Sequence, residues 1–171
     1  MNVRVVIRVN AVMVLTLGVS LAIPLMLSLR YSDGSWASFL FPGAAMIVDG
    51  AVGMVATQTS STIRALGYVS NRDVYLSVTL AWVLAAVLGG TPFLLEGTFV
   101  SPLDSTFEAM SGFTTTGATL LSDIESETPS ILFWRSMTQW LGGIGIVVLF
   151  VAVAPAIGFG AARLLGAEVS G

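Results

Sequence analysis

The chain has 171 residues, of which 55% are hydrophobic and only 10% charged, with a net charge of −3 and a mean hydropathy of +0.90. A soluble domain carries about 25% charged residues, so lipid is expected as the main solvent, and the acidic balance offers nucleic acid no basic footprint. The sequence has no His, Cys or Lys, which removes Ser–His and Cys–His nucleophiles, lysine Schiff bases and disulfides and restricts a zinc or iron site to carboxylates; neither an enzyme nor an organic cofactor is expected.

The first apolar run, from about Val9 to Leu29, is interrupted by polar Asn10, Thr16, Ser20 and Ser28. At roughly 20 residues it can cross a ~30 Å hydrocarbon core. Arg4 and Arg8 before it raise a signal peptide as the rival, but the run is long for one and no small-residue cleavage site follows before Arg30. Pro24 is expected to kink this helix. The polar turn Ser32-Asp33-Gly34-Ser35 leads into a second run, about Trp36 to Val55. A third spans about Val74 to Leu95, and the last about Ile131 to Ala154. Arg4, Arg8, Arg64, Arg72 and Arg163 fall on one side and Arg30 and Arg135 on the other, which predicts both termini in the cytoplasm. Glu96, Asp104, Glu108, Asp123, Glu125 and Glu127 share the long outer loop, where they predict either an acidic vestibule for cations or a merely solvated surface.

Within that loop, Ser101 suits an N-cap, Pro102 a first helical position and Asp104 a capping-box acid. Leu103, Phe107 and Met110 make one apolar stripe. The pattern predicts a helix over 102–113, ~18 Å long and too short to span. Entering from outside, it would aim its partly negative C-terminal end at the membrane centre. There it meets Thr114-Thr115-Thr116-Gly117-Ala118-Thr119. Backbone carbonyls aimed at one axis can replace a potassium ion's hydration shell, and glycine reaches the unusual dihedrals this requires. Non-helical backbone at such depth survives only when buried in protein or lining a watery path.

SGFTTTGAT at 111–119 and ILFWRSMTQWLGGIGIVVL at 131–149 together resemble the TrkH/KtrB family of potassium transporters, related to the plant and fungal HKT and Trk proteins. The resemblance runs loosely over residues 60 to 171, and the first two helices resemble the extra N-terminal pair of TrkH-type members. It implies potassium uptake across the plasma membrane, through a pore of four helix–pore-loop–helix repeats, under a cytoplasmic nucleotide-binding subunit of the TrkA/KtrA type. By position, Thr115, Thr116 and Gly117 would form one filter strand, with Thr114 at its inner end and potassium as the transported ion. Ala118 stands where more selective potassium channels carry an aromatic residue. A single pore loop implies either the N-terminal part of a longer polypeptide or several copies assembled around one pore.

Three further features hold two readings each. Asp49 lies mid-span in the second run, where a charge costs at least ~2.5–3.5 kcal/mol; it is an ion or proton relay, or a contact to Asn10 or other protein. Arg135, beside Trp134, either anchors the last helix at the interface or pairs with Glu108 behind the filter. Gly142, Gly143 and Gly145 form a small-residue patch for close helix packing or a hinge near the ion path. Gly89-Gly90 and Pro92 are expected to give packing and a bend. The expected fold is an all-α membrane bundle: four spanning helices plus one re-entrant pore helix and filter loop, with 1–60 as a two-helix segment and 61–171 as the repeat. A non-conducting assembly subunit, a truncated fragment and a small homotetrameric channel stand as alternatives.

Overall fold

The computed structural model describes residues 2–59 and 70–153, with side chains through Gly145 in the last helix. Arg64 and Arg163 lie outside the described residues. Every regular element among those described is helical: α1 (Val3–Ser20), α2 (Ala22–Tyr31), α3 (Trp36–Ala56), α4 (Asn71–Gly89), α5 (Thr91–Glu96), α6 (Pro102–Phe113) and α7 (Pro129–Val153). Three stretches are long and apolar enough to cross a membrane, namely Val3–Tyr31, Trp36–Ala56 and Asn71–Glu96. The fourth expected span coincides with α7, whose 25 residues reach about 37 Å at 1.5 Å per residue.

The expected kinks appear where proline removes an amide. Pro24 cannot serve the carbonyl of Ser20, and the helix is interrupted at Leu21, which keeps right-handed dihedrals (φ −66°, ψ −13°). Helices α1 and α2 are thus separated by Leu21 alone, and together they form one continuous apolar stretch. Pro92 likewise leaves the Leu88 carbonyl without its amide, and the Thr91 hydroxyl donates to it instead at 2.6 Å. The carbonyl of Gly89, at the same break, accepts the Trp134 indole N–H at 2.9 Å.

Small residues let α1 and α3 close on each other. A Cβ on Gly50 would sit 2.7 Å from the Leu15 amide nitrogen, and one on Gly18 would sit 2.8 Å from the Met46 Cβ. At one end of this pair, Arg8 donates to the Met54 carbonyl at 3.3 Å, meeting the negative end of α3. The Asn2 amide donates to Asp73 at 3.1 Å, tying α1 to the start of α4 at that same end. Toward the other end, Phe93, Ala109, Phe113, Ile131 and Trp134 join α5, α6 and α7 in one buried cluster.

The turn at 32–35 holds more than a change of direction. Asp33 accepts from the Ser28 hydroxyl at 2.5 Å, the Ser35 amide at 3.1 Å, the Ser130 amide at 3.2 Å and the Ser130 hydroxyl. It thus fastens the α2–α3 turn to the first turn of α7. Burial pushes the Asp33 carboxyl up, but hydrogen bonds from Ser130 and Ser28, then from the two amides, outweigh it and hold the group below its ordinary value. A lowered native value means the stabilisation is complete above about pH 3.9 and is lost as pH falls through the lower native value. Asp33→Asn is accordingly expected to lower stability by roughly 1–3 kcal/mol at pH 7. In thermal unfolding of the detergent-solubilised protein, the gap between variant and parent should narrow below about pH 4.

Candidate cation site

Helix α6 starts as its sequence suggests. Ser101 Oγ accepts from the Leu103 amide at 3.2 Å, Pro102 occupies the first turn, and Asp104 adds a favourable negative charge there. The capping box itself does not form, because Asp104 makes no bond back to Ser101. The far end is built from backbone. Thr114 donates its amide to the Met110 carbonyl at 2.8 Å and its hydroxyl to the same oxygen at 2.8 Å. That leaves Thr116 as donor in the 2.8 Å hydroxyl pair between Thr114 and Thr116.

Past this point the chain adopts a backbone that ordinary strands and helices do not. Thr114 has φ −80°, Thr115 has φ 56° and Gly117 has φ 77°, while Thr116 between them is not in the positive region. Left-handed dihedrals at a β-branched threonine cost of order 1–3 kcal/mol and persist only where the surroundings hold them. The surroundings here are the last turn of α6. The Thr115 amide donates to the Gly112 carbonyl at 2.9 Å, and the Thr116 and Gly117 amides both point at the Ser111 carbonyl, at 3.0 and 3.5 Å.

Those three amides fix the carbonyls. In a trans peptide the C=O of one residue points opposite to the N–H of the next, and no peptide among the described residues is cis. The carbonyls of Thr114, Thr115 and Thr116 therefore all turn away from α6. None accepts a hydrogen bond from a described residue, and Thr115 to Ala118 are exposed. Consecutive carbonyl oxygens on one side without a donor among the described residues, beside the negative end of a helix, suit a cation.

Behind this row stands a buried ion pair. Arg135 Nε donates to Glu108 Oε1 at 2.6 Å, with Glu108 1% and Arg135 19% exposed. The same carboxylate accepts the Thr119 hydroxyl at 2.9 and 3.0 Å and the Leu120 amide at 3.1 Å. Glu108 thus joins α6, α7 and the segment leaving the exposed row. It is no part of an acidic vestibule. Glu96 and Glu127 are similarly occupied, by Ser35 at 2.8 Å and Thr98 at 2.9 Å. Of the six loop acids, Asp104, Asp123 and Glu125 have no side-chain hydroxyl or arginine partner among the described residues. Trp134 is fully buried, with its ring edge-on to Phe113 at 6.5 Å, so it does not mark a lipid–water interface.

The three glycines of α7 are not equivalent. A Cβ on Gly142 would fall 1.9 Å from the Phe113 carbonyl oxygen, one on Gly143 would lie 3.9 Å from Thr115 Cγ2, and one on Gly145 would meet nothing within 4 Å among the described residues. Gly142 is one point at which α7 touches the end of α6; Thr138 against Gly112 is another. Asp49 lies elsewhere, exposed on α3 without a partner among the described residues. The contact to Asn10 is not formed: the Asn10 amide donates to the Val6 carbonyl at 2.9 Å and its own oxygen is buried without a donor. A cavity of about 440 Å³ between α1, α4 and α7 is lined by Met13, Leu17, Trp82, Phe113 and Leu141 among others, with no charged residue. It offers a cation nothing. Two residues of the quoted motif, Ser111 and Thr119, have roles that the sequence reading did not single out. Their hydroxyls act on the Ala118 carbonyl and the Glu108 carboxylate, seven and eleven residues away, which no local pattern signals.

The family described as TrkH, cation transport protein, matches residues 44–171. The chain belongs to the TrkH cation transport family. It is 33% identical to the Trk system potassium uptake protein TrkH of Halomonas elongata, over all of this chain and 35% of that protein. The Escherichia coli K12 protein of the same name is 34% identical, again over all of this chain and 35% of its own length. An uncharacterized cation transporter of Methanocaldococcus jannaschii is 34% identical over 80% of this chain. The crystal structure of the potassium transporter TrkH from Vibrio parahaemolyticus superimposes with a TM-score of 0.84 at 32% identity, covering 94% of this chain and 33% of that one. The chain thus spans about a third of the length of these relatives.

Proposed function

We propose that α6 is a re-entrant pore helix, that residues 114–117 are one strand of a potassium filter, and that the chain serves potassium uptake as part of a Trk-type transporter. One observation carries this reading: three successive carbonyls, those of Thr114, Thr115 and Thr116, turn the same way at the negative end of a 12-residue helix and accept no hydrogen bond from a described residue. Such oxygens need a substitute for water, and a dehydrated potassium ion supplies it. The names of the relatives agree with potassium as the ion.

One strand makes a quarter of a carbonyl ring. The other three quarters would come from the remaining pore repeats or from other copies, and a TrkA-type nucleotide-binding subunit would regulate the whole from the cytoplasm. Residues 1–60 form the accessory helix pair and 61–171 the pore repeat, in the plasma membrane with both termini inside. Glu108 and Arg135 brace the filter from behind, and Gly142 with Gly143 gives the end of the pore helix room. Asp49 is assigned to a contact with protein or water beyond these helices, since a carboxylate facing lipid is unfavourable.

The test is rubidium uptake by potassium-starved cells that depend on this transporter. Gly117 has a φ of 77°, which alanine adopts at a cost of about 1 kcal/mol or more. Gly117→Ala is expected to cut uptake about fivefold or more while leaving the amount of protein in the membrane unchanged. Uptake equal to the parent's would remove residues 114–117 from the ion path.

A further inference from the structure

The row of outward carbonyls has an end, and a single side chain makes it. Ser111 is 7% exposed in the last turn of α6. Its carbonyl receives the Thr116 and Gly117 amides, and its hydroxyl donates to the Ala118 carbonyl at 2.6 Å. The first contact turns the Thr115 and Thr116 carbonyls away from the helix. The second turns the Ala118 carbonyl toward it. Between Gly117 and Ala118 the peptide direction reverses, and Ser111 holds both sides of the reversal.

We infer that Ser111 is a positioning residue that sets the selectivity of the site, by withholding the Ala118 carbonyl from the ion and so fixing where the ligand row stops. This rests on the proposal that residues 114–117 bind the ion. The side chain of Ala118 is only a methyl group and can form no hydrogen bond to hold its own peptide in place. The Ser111 hydroxyl is the one group among the described residues bonded to that carbonyl. Without it, the oxygen is orphaned beside the ion row, and the peptide can swing toward the ion and serve as an extra, poorly fixed ligand. A filter discriminates potassium from sodium through the number and constraint of its carbonyls. An added mobile one therefore lets the smaller ion be satisfied as well.

Ser111→Ala is expected to raise sodium uptake relative to rubidium about two- to tenfold, in line with the loss of one hydrogen bond. Ser111→Thr keeps the hydroxyl and is expected to retain the parent ratio. Both variants are measured in the intact transporter, in cells without other potassium uptake, with membrane protein quantified alongside. Should Ser111→Ala fail to reach the membrane, Ser111→Cys, which is close in size but a weak donor, takes its place and is expected to shift the ratio about twofold. An unchanged sodium-to-rubidium ratio in the variant lacking the hydroxyl, or uptake of both ions falling in proportion, overturns the inference. A shifted ratio in both the alanine and the threonine variants overturns it as well. If the parent itself takes up no rubidium, it is the assignment of 114–117 that fails.

Discussion

Glu108→Ala is expected to abolish rubidium uptake and to destabilise the protein by about 3–5 kcal/mol. The carboxylate removed is 1% exposed and accepts from three groups, the Arg135 guanidinium, the Thr119 hydroxyl and the Leu120 amide. Its loss leaves Arg135 charged in a largely buried place with no acid opposite. A guanidinium cannot deprotonate to escape. The 19% of Arg135 that remains accessible lets water reach one side, which favours the lower part of that range. Glu108→Gln separates charge from hydrogen bonding, since its amide oxygen can still accept from Thr119. It should fall between alanine and the parent, at about 1–3 kcal/mol. Arg135→Ala should resemble Glu108→Ala, but the double alanine variant leaves no lone charge and should be far better than the sum of the two. A double-mutant cycle, read by chemical unfolding in detergent micelles, gives the coupling directly. A coupling near zero would reduce the pair to a crystal-like contact without energetic consequence and detach it from the filter.

That pair also shows what was legible in the sequence and what was not. Hydropathy located the long helices to within a few residues, because a run such as Trp36–Ala56 has only one good solvent. The Ser101-Pro102 start of α6 is local chemistry and could be read directly. Glu108 and Arg135 could be suggested as partners, since both sit in elements flanking one loop. Thr119 and Leu120 could not, because their bonds to Glu108 depend on how the loop folds back. Six acids in one loop looked alike, yet Glu96, Glu108 and Glu127 are structural and bind Ser35, Arg135 with Thr119, and Thr98. Asp33 read as a turn residue, while its partner Ser130 lies 97 positions away. Composition reports which side chains are available; long-range register decides what they touch.

The glycines of α7 make the same point with a measurable consequence. Gly142→Ala is expected to lower uptake about tenfold, which corresponds to roughly 1.4 kcal/mol in a rate, and to destabilise the protein by about 1–3 kcal/mol or more. Alanine alone would favour an α-helix by about 1 kcal/mol over glycine, so the sign rests on the neighbour. That neighbour is backbone: the new Cβ would fall 1.9 Å from the Phe113 carbonyl oxygen and 2.5 Å from its carbon. Backbone cannot rotate aside as a long side chain would. Nor can Phe113 retreat, because its ring already presses on Gly89, where a Cβ would sit 2.5 Å away, and lies edge-on to Trp134. The helices must separate instead, and the end of α6 carries Thr114 and the carbonyl row with it. Gly145→Ala supplies the control, since among the described residues nothing lies within 4 Å of its Cβ position; it should leave uptake unchanged and raise the thermal midpoint slightly. Equal behaviour of the two variants, in rubidium uptake and in thermal unfolding, would mean that the contact between α7 and the end of α6 has slack, and that the filter strand is held from the Glu108 side alone.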